Sequence, residues 1–195
     1  MKPKKYLRLL FACALIVFFA AQTSPLWAKK DAKKAQAQAD VRKMAKETLS
    51  RLYKAQPRAK SAIEKAAGYA VFSNFGMKIF LAGGGRGKGM AVDHATKKET
   101  FMKMVEVQAG LGIGIKKFRL VWVFENKKDL NDFIHSGWEF GGQATAAAKV
   151  SDQGGAFAGA MSISPGIWLY QLTDEGLALE LTAKGTKYYK DKNLN

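Results

Sequence analysis

The sequence predicts an α+β fold in which N-terminal helices pack on a large, mostly antiparallel β-sheet or partly closed barrel with one inserted helix. Three observations predict it. Apolar residues recur at three- and four-residue spacing up to Ala66, then switch to alternation after Gly68. Only "NKKDLNDFIHSG", residues 126 to 137, returns to the helical period. Finally, glycine or alanine occupies every second position in several of the alternating segments, a pattern of strands that something approaches closely.

The chain opens with a basic start carrying Lys2, Lys4, Lys5 and Arg8, an uncharged stretch from Leu9 to Ala21, and "QTSPLWA". This is the layout of a secretory signal peptide over residues 1–28, with cleavage expected after Ala28. The apolar core is short beside the roughly 20 residues of a spanning helix. Two other readings stay open: a lipoprotein box at "LFAC", ending at Cys13, and an anchor that is never cleaved. Cleavage at Ala28 leaves no cysteine and hence no disulfide framework. The formal charge of +16 falls only to +12, and the expected location is exported and periplasmic, peripheral on a membrane.

Residues 29–66 form the expected basic helical region. Val41, Met44, Ala45, Thr48, Leu49, Leu52 and Tyr53 make one stripe, and Pro57 ends the first helix. A second helix follows, with Ala59, Ile63 and Ala66 on one side and Gly68 expected as its C-cap. This region carries 12 basic and 4 acidic residues, net +8; its start, "KKDAKKAQAQ", is expected to be disordered.

Residues 67–190 are expected to be a β-rich domain, with 191–195 a tail. The expected strands are "YAVFSNF", "MKIFLAGGG", "KGMAVDH", "ETFMKMVEV", "AGLGIGI", "FRLVWVF", "GGQATAAAKV", "GAFAGAMSI", "GIWLYQL" and "LALELTA". Hairpin turns are expected at "HATKK" and "IKKF".

The stretch "LAGGGRGKGMAV" invites a nucleotide-binding reading that fails on the residues doing the chemistry. A P-loop needs glycine where Ala82 stands and a hydroxyl where Gly89 stands. A dinucleotide fingerprint needs glycine where Lys88 stands. What remains is strict alternation: Gly83, Gly85, Gly87 and Gly89 share one strand face, and Arg86 and Lys88 the other. Such cations either protect an edge from aggregation or bind anions.

The order and spacing of "AAGYAVFSNFGMKIFLAGGGRGKGMAV", "VQAGLGIG", "RLVWVFENKKDLNDFIHSGWEFG" and "GIWLYQLTDEGLALELTAKGTKYY" resemble the SYLF domain, over roughly residues 57 to 190. The sequence departs from the family where "ETFMKMVEV" replaces a Trp-Ser-x-Pro-type strand and Gln143 replaces an aspartate. The resemblance implies a non-enzymatic module that binds anionic lipid headgroups; for an exported protein, only the general affinity for anionic lipid carries over.

The residues point the same way. Three basic patches are candidate lipid-binding sites: Arg42, Lys43, Lys46 and Lys54 on the helix; Lys78 with Arg86 and Lys88; and the expected turn Lys116, Lys117, Phe118 and Arg119. Each is also compatible with a merely solvated face. Expected partners are anionic phospholipid or another anionic envelope surface, with an envelope protein as the alternative. Nucleic acid is not expected, because the reading motifs are missing and the chain carries an export signal. Neither a catalytic residue, a metal site nor a cofactor is expected. His94 and His135 lie far apart in sequence without ligand partners at short spacing, and there is no Gly-x-Ser-x-Gly elbow.

Overall fold

The computed structural model describes residues 26–79, 82–109, 114–136, 139–140, 149–150, 155–178 and 185–195. The segment before Leu26 that is expected to be a signal peptide, "GGQATAAAK" up to Ala148, and most of "LALELTA" lie outside these. Contacts divide the chain into two compact units, Met1–Ala37 and Gln38–Asn195.

Helix α1 spans Leu26–Ala55 and takes in Ala28 and Asp40. The stretch expected to be disordered, Lys29 to Gln38, is helical, as its alanines, lysines and glutamines favour. Proline at 57 has no N–H to continue the ladder, so a new helix, α2, starts at Arg58 and runs to Lys65. Its C-cap is Ala66, not Gly68. Gly68 instead opens strand β1, where a Cβ would collide with the Val92 carbonyl and the Leu130 side chain.

Among the described residues ten antiparallel strands follow, in a sheet curled into a half-barrel. They are β1 (Gly68–Ile79), β2 (Ala82–Asp93), β3 (Glu99–Ala109), β4 (Gly114–Phe124), β5 (Glu139–Phe140), β6 (Lys149–Val150), β7 (Met161–Ser164), β8 (Ile167–Thr173), β9 (Gly176–Ala178) and β10 (Thr186–Lys190). Their order is β5-β10-β3-β2-β1-β4-β8-β7-β6, with β9 on β8. Helix α3, Lys127–His135, interrupts them; the Asn126 side chain caps it by accepting from the Asp129 N–H at 2.9 Å.

The α+β expectation holds, with differences in detail. "YAVFSNF" and "MKI" form one twelve-residue strand, and "IKKF" lies inside β4. Two adjacent lysines look like a turn, but alternation continues through them: Phe118 is buried and Lys117 exposed. Residues 155–160 turn before β7, with Gly159 at φ +75. The strand at Thr186–Lys190 was not anticipated, and the tail beyond it is fastened down. Asp191 is buried against Lys103 at 2.9 Å, and Gln38 donates to the Leu194 carbonyl at 2.7 Å.

The sheet buries both faces. On the inner face, Phe72, Trp122, Phe124 and Tyr188 pack around Phe133 of α3, with ring centroids 4.9–6.1 Å from it. On the outer face the register lines up Phe101, Met90, Val71, Val121 and Tyr170, all buried. Val41, Ala45, Thr48 and Leu52 form the buried stripe of α1. Bonds from Arg119 to Thr48 and from Arg51 to the Thr173 carbonyl tie that helix to this face.

The alternating glycines lie inward. Gly85, Gly87 and Gly89 are buried, and the groups crowding them belong to the flanking strands. A Cβ at Gly89 would strike Phe72, and one at Gly87 would strike Met104. Over Gly85, Asn74 of β1 donates to the buried carboxyl group of Glu106 on β3, across the whole width of β2.

Candidate anion-binding surface

Directly opposed residues in an antiparallel sheet share a face. The row beside the one under α1 therefore reads Lys103, Lys88, Ser73, Arg119 and Leu172 across β3, β2, β1, β4 and β8. The next row places Arg86 between Val105 and Phe75, with Lys117 opposite Phe75. Two patches that are separate in sequence are thus one. Lys88 and Arg119 lie two strands apart, about 10 Å.

The parity divides the candidates differently from their sequence grouping. Lys78 pairs with Gly83 and Gly114, and Lys116 with Gly76; both fall on the register of Asn74 and Phe118, opposite that of Arg86 and Arg119. The pairing thus puts Lys78 at a register position different from that of Arg86 and Lys88, and its side chain lies outside the described residues. The picture of Phe118 as an aromatic among surface cations is corrected, since it belongs to the inner core.

Arg86 and Lys88 are exposed and have no carboxylate partner among the described residues. Lys88 stands directly opposite Lys103, a like-charge pairing that costs stability; among the described residues only Lys103 is compensated, by Asp191. Arg119 donates to the Thr48 hydroxyl at 3.0 Å, with Glu47 at 3.8 Å. Arg51 donates to the Thr173 carbonyl at 2.9 Å, with Asp174 at 3.9 Å. The two guanidinium groups are held by neutral oxygens at hydrogen-bond distance and more loosely by one carboxylate each, which offsets part of their charge. Together with Ser73, Lys117, Thr173 and the acidic Asp174 they line a cleft of about 270 Å³.

Arg51 and Lys103 were missed in the sequence. Lys103 alternates with buried Met102 and Met104, a pattern that could have marked it. For Arg51 only its place beside Thr48 and Leu52 offered a signal. The helix patch is only partly available. Arg42 is bound to Glu99 at 2.7 Å and lies 5.0 Å from the centre of the Phe101 ring, which fastens α1 to β3. Lys43 and Lys46 are exposed, as is Lys54.

The histidines are engaged locally. His94 Nδ1 lies 2.9 Å from the Ala66 carbonyl and its ring packs on Tyr69, while His135 Nδ1 lies 2.9 Å from the Asn131 carbonyl. Asp93 accepts from the Thr96 and Ala95 N–H groups, which hold its carboxyl below the usual range; Lys127 at 3.7 Å adds to this. Among the described residues no cluster of His, Cys, Asp and Glu could hold a metal ion, and no helix is long and apolar enough to cross a membrane.

No family model matches the chain. Over 156 residues, 79% of its length, it is 35% identical to beta cell expansion factor A of Aeromonas veronii. That match spans 57% of the relative's own length, so the chain corresponds to little more than half of it.

Proposed function

We propose that the protein is an exported, non-enzymatic module that docks on anionic surfaces, anionic phospholipid membranes above all, through the cations of the outer face. The observation that carries this reading is the row containing Lys88 and Arg119, flanked by Arg86 and Arg51. A fold gains nothing from setting Lys88 against Lys103 without a counter-ion of its own. An anionic surface supplies one. Each lysine or arginine near such a membrane contributes about 1 kcal/mol. Four or five of them give affinities of about a millimolar to a few tenths of a millimolar without any deep pocket. The SYLF resemblance and the signal-like N-terminus support the same reading. The relative's name concerns an effect on beta cells and names no ligand.

Flotation of the protein with vesicles tests the reading. Recovery should be high on vesicles containing phosphatidylglycerol, low on pure phosphatidylcholine, and should fall steeply with salt. Equal recovery on both at low salt would sink it. Salt-insensitive capture of a single envelope protein would favour a protein-interaction role instead.

A further inference from the structure

The flank of α1 away from the cationic row carries a second feature. A groove of about 530 Å³ opens between the helix and the start of β1, within the size range of small-molecule sites. Its walls are Ala45, Leu49 and the rings of Tyr53 and Tyr69. Lys46 and Lys54 stand along its rim with Ser50 between them; among the described residues no carboxylate lines it, Glu64 and Glu99 acting on Tyr53 and Tyr69 from outside the lining. The two lysines are eight residues apart on one helix, about 12 Å along its axis. Both are exposed, and neither ammonium has a partner among the described residues. Burial pushes the Tyr53 hydroxyl up to about 12, with Tyr69 and Glu64 adding to the effect. Burial also raises Tyr69. The aromatic walls therefore stay uncharged at ordinary pH.

We propose that this groove binds a single-chain amphiphile with an anionic head, of the free fatty acid class, its tail lying along Leu49, Tyr53 and Tyr69 and its carboxylate reaching Lys46 or Lys54. Apolar walls without a carboxylate disfavour a cationic or strongly polar ligand, and the paired ammonium groups select for negative charge. The site is distinct from the outer-face cations and does not depend on their role.

Three probes with one tail, dodecanoate, dodecanol and dodecyltrimethylammonium, should be titrated into the full chain below their micellar concentrations. Dodecanoate is expected to bind at least about tenfold tighter than the cation, with amide shifts at Leu49, Ser50 and Tyr69. Lys46→Glu with Lys54→Glu should lower its affinity by at least about tenfold. Lys46→Arg with Lys54→Arg should retain it. All four substitutions are on exposed positions, so the arginine variant should melt like the native chain and the glutamate variant within a few degrees of it, Lys54 standing in the last turn of α1. Equal binding of anion and cation, no binding of dodecanoate, or a charge-reversed variant that binds like the native chain would each overturn the proposal. Recovery on anionic vesicles through Arg86 and Lys88 is a separate measurement, so either idea can fail alone.

Discussion

Replacing Gly85 with alanine tests why β2 is built from alternating glycines. The new Cβ would lie 2.9 Å from both the Nδ2 and Oδ1 atoms of Asn74 and 3.2 Å from Glu106 Oε2. It would press into the hydrogen bond that joins β1 to β3 over the strand between them. Both side chains are buried, so the Asn74 amide cannot simply swing into water. Loss of a buried hydrogen bond to a carboxyl group costs about 1–3 kcal/mol. The reduced freedom of the unfolded chain returns about 0.4–1 kcal/mol. The expected net loss is about 1–2 kcal/mol, a fall of about 2–8 °C in Tm for a domain of this size. Gly84→Ala is the matched control. That residue is exposed, and its Cβ would meet only the Glu106 carbonyl oxygen, at 3.6 Å. It should be neutral or slightly stabilising. Thermal melts of both variants by circular dichroism decide the matter, and equal melting of the two would refute the reasoning. In an Asn74→Ala background, the penalty of Gly85→Ala should largely disappear.

Arg86→Glu with Lys88→Glu should lower recovery on anionic vesicles several-fold, with stability changed by no more than about 0.5 kcal/mol, because both side chains are exposed. Unfolding of this variant would mark the two residues as structural. Arg42→Ala should cost up to about 1 kcal/mol in urea melts by removing its Glu99 and Phe101 contacts, while leaving vesicle recovery nearly native. A large loss of vesicle binding would show that Arg42 faces the ligand after all. Burial raises the hydroxyls of Tyr53 and Tyr170 to about 12, and that of Tyr188 further still. In the unfolded chain they ionise near 10, so the stability they contribute is full below that pH and lost as pH rises through the folded values. Tm should thus drop steeply above pH 10, and tyrosinate absorbance should rise as the chain unfolds; a flat profile to pH 12 would contradict their burial.

How much of this was readable in the sequence depended on the range of the interaction. The stripe of α1, the capped helix at Lys127–His135 and the alternation of β3 and β8 are set by residues a few positions apart, and these were legible. Gly68 and "IKKF" were misread because local turn chemistry competes with a constraint from elsewhere. Gly68 is small because Val92 and Leu130 come close, and Lys116 and Lys117 continue β4 because Gly76 and Phe75 pair with them. The candidate surface is a question of register, which no single strand states. Arg86 and Lys88 were recognisable as outward-facing cations, whereas Arg119 was expected in a turn. That Lys88 and Arg119 share one row, and that Lys78 does not, follows only from the pairing of β1 with both β2 and β4. The same pairing gives the glycines a second role. By letting Asn74 reach Glu106 across β2, they tie together the three strands that carry Ser73, Lys88 and Lys103. A clamp on the inner face of those strands fixes the spacing of the like charges on the outer face. Loosening it at Gly85 should therefore let Lys88 and Lys103 move apart, so that variants at a residue with no charge weaken vesicle binding as well as stability.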